Sequence, residues 1–317
     1  MKLQRFALAL AGAGLIAAAA SSVPAVATGQ TDPKPHRFAT SMKPNTIKSA
    51  AADAPCVSDV MAPAAAGTAQ EILSIPGRPI ESASDTPFNF VGTRADSTWY
   101  GAVNSSGSQV YYYGLLLQGA NLYRHTTYLS ESGVWKPTFK KVGPGWTSFK
   151  SIATSNYSVG TPRHAYLYGL NTNGSLYRYQ MVGTGFRGLG PIPGFRSFKA
   201  MTVISETATY DTLLMTTNAG ALWTAHIPVA AGAKPVMKLI RSSGWSAYES
   251  LVVQSCGSRG GSLIVAVDHD TDSGYQYAMS KANGAATAIT SYGKIPEVYG
   301  GVSHVSVTTH YDQLVGE

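Results

Sequence analysis

The sequence predicts an all-β fold, a closed ring of repeats about 47–54 residues long with an irregular N-terminal extension. Three observations carry this. From about Ala83 onward, short runs of aromatic and β-branched residues are punctuated by Gly, Asn and Ser at intervals of roughly 8–12 residues, the pattern of a many-stranded β protein. A strand–turn–strand unit recurs along that region, and a second, unrelated motif recurs with the same period. Composition agrees: 13% charged residues, 33 Gly and 18 Tyr are the balance of an exported β protein with many turns.

The N-terminus predicts export. Lys2 and Arg5 precede a continuous apolar run, Phe6 to Ala20, and Ala25-Val26-Ala27 offers small residues for cleavage before Thr28. Residues 1–27 are therefore expected to be a signal peptide rather than a membrane anchor, since the run is short for a span of about 20 residues. No later stretch is long and apolar enough to insert in a bilayer. The expected mature chain, a secreted monomer, has 22 basic and 17 acidic residues, a net charge of +5. Its basic residues are scattered, with no stripe or arm of the kind that binds nucleic acid.

Two cysteines, Cys56 and Cys256, are an even pair in an oxidising compartment, which predicts a disulfide that ties the extension onto the main domain. Residues 28–82 are poor in aromatics and rich in Ala, Pro, Ser and Thr. They read as a flexible leader to about Ala54 and then a pinned, irregular stretch with a short helix over Ala62 to Gln70. The β domain is expected over residues 83–317.

Within that domain the hairpins align. Tyr111 to Leu115 leads to Leu122-Tyr123-Arg124, and Tyr166 to Leu170 leads to Leu176-Tyr177-Arg178. Leu213-Leu214-Met215 leads to Leu222-Trp223, and Ile264 to Val267 leads to Tyr275-Gln276-Tyr277. The aromatic anchors Tyr123, Tyr177, Trp223 and Tyr277 are spaced 54, 46 and 54 residues apart. Each unit is a β-hairpin with a polar, Gly-bearing turn.

The second motif runs Gly145-Trp146-Thr147-Ser148-Phe149, then Gly194-Phe195-Arg196-Ser197-Phe198, then Gly244-Trp245-Ser246-Ala247-Tyr248, with a degenerate copy near Gly301. Its second aromatics are 49 and 50 residues apart. At the end of the chain, Tyr311 to Val315 resembles Tyr210 to Leu214 and reads as the first strand of a further unit. Val91 to Tyr100 reads as the piece that completes it. Terminal strands that interlock in this way abolish the open edge of a ring, so the fold expected is a five-bladed β-propeller.

The hairpins ending Leu-Tyr-Arg, with the stretch from Trp135 through Lys141-Val142-Gly143-Pro144-Gly145-Trp146-Thr147-Ser148-Phe149, resemble the tachylectin-2 family of five-bladed propeller lectins over most of residues 105–255. The resemblance implies weak, repeated binding of N-acetylated amino sugars. The variation in unit length, Phe195 in place of Trp and the degraded fourth copy imply two or three sites rather than five.

Sugar binding needs an aromatic face and planar hydrogen-bonding groups. Trp146, Phe195 and Trp245 are the candidate faces, with Ser148, Ser197, Asn171 and Asn173 as polar partners. An aromatic that recurs once per repeat fits equally well as core between neighbouring blades. Phe149, Phe198, Tyr248, Leu122, Leu176 and Leu222 are expected to be core.

No paired acid and base, G-x-S-x-G turn or H-E-x-x-H helix is present, so no enzyme activity and no cofactor are expected. Asp268, Asp270 and Asp272 alternate as in a calcium loop. Ser273 and Met279 stand where an EF-hand has Gly and Glu, so the stretch reads as a hairpin turn and no metal is expected. The function expected is a secreted lectin whose partners are glycans or cell-surface polysaccharide. The alternatives are a propeller that binds an extracellular protein or scaffolds the cell envelope, and a propeller hydrolase using the Asp268–Asp272 carboxylates.

Overall fold

The computed structural model describes residues 56–63, 68–103, 110–129, 134–256, 261–309 and 313–317. The stretches expected to be a signal peptide and a leader to Ala54 lie outside the described residues. So do Tyr311 and Asp312.

The strands come in fours because each hairpin is flanked by one strand before it and one after. β1 (Ser58–Pro63), β2 (Thr68–Ile75) and β3 (Glu81–Asn89) open the described chain. The short β4 (Ala95–Asp96) precedes β5 (Trp99–Val103), β6 (Val110–Gln118), β7 (Asn121–Leu129) and β8 (Trp135–Pro144). A second group is β9 (Phe149–Tyr157), β10 (His164–Asn171), β11 (Ser175–Val182) and β12 (Gly185–Pro193). A third is β13 (Phe198–Glu206), β14 (Tyr210–Thr217), β15 (Leu222–Pro228) and β16 (Val236–Arg241). The last is β17 (Ser250–Ser255), β18 (Ser262–Asp268), β19 (Ser273–Met279) and β20 (Ile289–Val298), followed by β21 (Val305–Thr309).

β9–β12, β13–β16 and β17–β20 are three four-stranded antiparallel meanders. The rest join in one nine-stranded sheet of order β3-β2-β1-β21-β5-β6-β7-β8, with β4 against β6. The expected hairpins are all present: β6–β7, β10–β11, β14–β15 and β18–β19 pair in register.

Burial follows position in each meander. The second strands are buried along nearly their whole length, as β14 and β18 show. They are enclosed on both faces, and their runs of Leu, Ile, Val and Met are continuous rather than alternating. The last strands are largely exposed. They carry Pro137, Lys140 and Lys141 in β8 and Pro191 in β12, residues that discourage pairing with another chain at an open edge.

First strands meet in succession: β4 against β9, β9 against β13, β13 against β17, β17 against β21, and β21 against β5. The last contact is a parallel pairing, Val307↔Trp99 and Thr308↔Tyr100. The termini thus interlock, but with different strands from those expected. The strand that pairs with β5 is β21, and β1–β3 extend it, while Val91 to Tyr100 begins the next group; the expected strand over Tyr311 to Val315 begins outside the described residues.

The stretch expected to be irregular therefore holds β1, β2 and the start of β3, and the expected helix over Ala62 to Gln70 is replaced by the β1–β2 hairpin, where Pro63 pairs with Ala69. The reason is burial on both sides. Val60, Met61, Ala62 and Ala69 are fully enclosed, so small residues serve where aromatics would not fit, and the composition resembles a linker. Cys56 is bonded to Cys256 as expected, which fixes the start of β1 beside the end of β17.

The described end of the chain is a wedge. The Glu206 amide donates to the Leu314 carbonyl (3.0 Å), and the Gly316 amide donates to the Ile204 carbonyl (2.8 Å). Leu314 packs on the clusters on both sides of β13.

Candidate functional site

The Gly-aromatic motif is a tie between sheets. Gly145, Gly194 and Gly244 have φ of 96°, 100° and 93°, a backbone that glycine adopts without a steric cost. The next amides reach back to the hairpin turn of the preceding group. Trp146 donates to the Ala120 carbonyl (3.0 Å), Phe195 to Gly174 (2.9 Å) and Trp245 to Gly220 (3.0 Å). The amides of Phe149, Phe198 and Tyr248 close the turn by donating to the carbonyls of those same three aromatics.

This geometry drives the first aromatic of each motif into the gap between sheets. Trp146 is 8% exposed, Phe195 2% and Trp245 5%. Trp146 lies against Phe149 and Tyr179, and Trp245 against Tyr248 and Tyr277. Neighbouring side chains thus cover the three aromatics that the sequence reading expected to offer stacking faces to a sugar. Phe149, Phe198, Tyr248, Leu122, Leu176 and Leu222 are buried as expected.

The expected polar partners belong to the same ties. Ser148 and Ser197 are exposed, and their carbonyls accept from the Thr172 amide (2.8 Å) and the Asn218 amide (2.9 Å). The Asn171 side chain accepts from the Asn173 amide (3.0 Å), and the Asn173 side chain from the Ser175 amide (2.9 Å). Their oxygens shape the β10–β11 turn. Ser148 therefore stands beside the Asn171–Asn173 turn, while Ser197 and Trp245 adjoin the next hairpin turn along.

The residue that follows each tie points elsewhere. Lys150 and Lys199 are the second residues of β9 and β13, Glu249 directly precedes β17, and with Arg94 they line a cavity of about 240 Å³ at that end of the inner strands. None of the seven residues expected to bind sugar lines it. Each cation reaches to the next sheet. Arg94 Nε donates to the Gly119 carbonyl (2.8 Å), and its two terminal nitrogens donate to the Trp146 and Phe149 carbonyls. Lys150 Nζ donates to the Phe198 carbonyl (2.8 Å). Lys199 Nζ donates to the Ser246 carbonyl and to Glu249 Oε1 (2.7 Å).

The rest of the wall is polar too. Glu249 Oε2 accepts from the His269 amide (3.1 Å), and His269 Nε2 is 2.9 Å from Ser250 Oγ. Burial pushes the His269 imidazole down despite the carboxylates of Glu249, Asp268 and Asp272. The His304 ring is tilted against it at 5.2 Å, and burial pushes that imidazole down to about 3. Asp96 accepts from the Ser97 amide (2.8 Å) and Trp99 Nε1 (3.0 Å), while burial holds its carboxyl well above the usual range.

A second polar cluster lies at the other ends of β9 and β13. Asp211, fully buried, accepts from Ser155 Oγ (2.6 Å) and Tyr168 OH (2.8 Å) and pairs with His164 Nε2 (2.9 Å). Glu206 accepts from the Asn156 amide (2.7 Å) and Gln313 Nε2 (2.7 Å), and burial pushes its carboxyl up to about 8. Both carboxyl groups are thus buried and hydrogen-bonded within the protein. At the β18–β19 turn, Asp268 Oδ1 accepts from the Asp270 and Thr271 amides, so it caps its own turn. Among the described residues no three His, Cys, Asp or Glu are placed to hold a metal.

No protein-family model matches this chain, and no curated protein does. Several solved structures are similar to it. The SapL1 lectin in complex with alpha methyl fucoside is 13% identical over 78% of this chain and 84% of its own, with a TM-score of 0.39. AofleA from Arthrobotrys oligospora is 12% identical over 81% and 90%, with a TM-score of 0.38. A GH62 hydrolase in complex with xylotriose is 11% identical over 71% and 81%, with a TM-score of 0.40. Likenesses this distant assign no ligand and no reaction to this chain.

Lys150, Lys199 and Glu249 directly follow the motif's second aromatic, so a charged residue at that register position was the available signal. Arg94, His269 and His304 belong to no repeat position that the sequence marks.

Proposed function

We propose that this protein is a secreted carbohydrate-binding propeller whose sugar seats in the cavity at the starts of the inner strands. The observation that carries the reading is the cavity wall: Arg94, Lys199, Glu249, Ser250 and His269 set hydrogen-bonding groups from separate sheets around about 240 Å³. That is smaller than the ~300–1,000 Å³ of pockets for drug-sized ligands, a size suited to one sugar ring. The propeller has five blades in this reading. β21 with β1–β3 is one, β5–β8 is another, and the meanders are the other three. In support, hydrophobic clusters lie between β1–β2 and β5–β7, and between β1–β2 and strands β17, β18 and β20, as they do between the meanders.

The repeat's resemblance to tachylectin-2 lectins favours an N-acetylated amino sugar. The Cys56–Cys256 bond favours export, since such bonds persist in oxidising compartments. The test is a glycan array with purified mature protein, followed by titration of the best glycan against Glu249→Ala and Lys199→Ala. Binding that both variants weaken by roughly tenfold, about 1.4 kcal/mol, supports the site. Silence across the array rejects the reading.

A further inference from the structure

We propose that the sugar held in this cavity is acidic and carries a carboxylate, an inference that rests on the carbohydrate reading of the same site. Three cations from three successive groups of strands, Arg94, Lys150 and Lys199, converge on the cavity. Against them stands one paired carboxylate, Glu249, bonded to Lys199. Asp96, the other acid in the wall, is 5% exposed and engaged by Ser97 and Trp99.

Among the described residues, Arg94 and Lys150 have only backbone carbonyls as hydrogen-bond partners. A carbonyl satisfies an N–H but leaves the formal charge in place. Burial pulls the pKa of both groups down, as expected where a cation loses water without gaining an anion.

Donor accounting points the same way. A guanidinium has five N–H donors and an ammonium three. The hydrogen bonds on Arg94 leave it two, those on Lys150 leave two, and those on Lys199 leave one. The carbonyls hold each head in place, so these donors are already oriented, and charge-assisted bonds to a carboxylate are roughly twice as strong as neutral ones. His304, 5% exposed, lines the same cavity and adds no negative charge to it.

The experiment is calorimetric titration of the mature protein with D-glucuronic acid, D-glucose and N-acetylglucosamine, at low and high salt. The expected result is glucuronate bound at least about tenfold tighter than glucose, with the advantage shrinking as salt screens the charges. Lys150→Met, which keeps the stem and removes the charge, should bring the glucuronate-to-glucose ratio toward one. Lys150→Arg should restore it, and unfolding curves establish that both variants fold. Equal affinity for acid and neutral sugar overturns this inference and leaves the carbohydrate reading standing. Binding of none of the three overturns both.

Discussion

Gly169 shows how a residue's role can be hidden by its own simplicity. A Cβ built there would stand 2.6 Å from the Phe149 ring, which lies flat across the strand. Gly169→Ala should therefore displace Phe149 and cost about 1–3 kcal/mol, read as a shift of the urea midpoint at unchanged slope. The Tyr-Gly-Leu pattern was legible in sequence, but the reason for its glycine is a ring twenty residues upstream. Trp146 teaches the complement. An aromatic once per repeat was visible, yet whether its face meets a sugar or a neighbouring sheet depends on the hydrogen bond from the Trp146 amide to the Ala120 carbonyl, which no local pattern encodes.

Among the elements, the hairpins and their turns follow from short-range chemistry, and they fall where the motifs place them. The β1–β2 hairpin does not announce itself, because Ala and Ser suffice where strands are enclosed on both faces. The disulfide anchors that hairpin. It spans 200 residues, so in the chain-entropy model its loss costs about 5 kcal/mol. Cys56→Ser with Cys256→Ser should lower unfolding stability by up to that amount, as measured by denaturant titration without reductant. The terminal wedge is a second fastening. Leu314 bridges two hydrophobic clusters, and Glu317 accepts from Thr212 and lies 2.9 Å from His226 Nδ1. Deleting residues 313–317 should cost about 3 kcal/mol through lost burial and unpaired backbone groups, seen as a lower thermal midpoint.

At the scale of the whole molecule, buried ionisable groups make stability depend on pH from both sides. Glu206 is held protonated, with its pKa pushed up to about 8. Its contribution is therefore complete below the unfolded carboxylate value and is lost as pH rises through about 8. Buried Asp59 and Asp96, pushed up by the same loss of solvent, act in that direction too. His125 is enclosed by Phe90 and Trp99, and burial pushes it down to about 3. Its contribution is complete above the unfolded imidazole value and is lost as pH falls toward about 3. Thermal midpoints across pH should show Glu206→Gln falling less than wild type on the alkaline side and His125→Phe falling less on the acid side. Parallel curves for variant and wild type would show that neither group carries the dependence.

The repeat, its hairpins from β6 onward and their turns are written in local sequence. They depend on residues within a few positions of one another: alternation or continuity of apolar side chains, and glycines where the backbone turns left-handed. How the chain closes, where β1 and β2 lie and what faces the cavity follow from long-range packing. β21 sits between β1 and β5 because long-range pairing placed it there. Arg94, Lys150, Lys199 and Glu249 are ordinary surface charges until strands about fifty residues apart bring them to one rim.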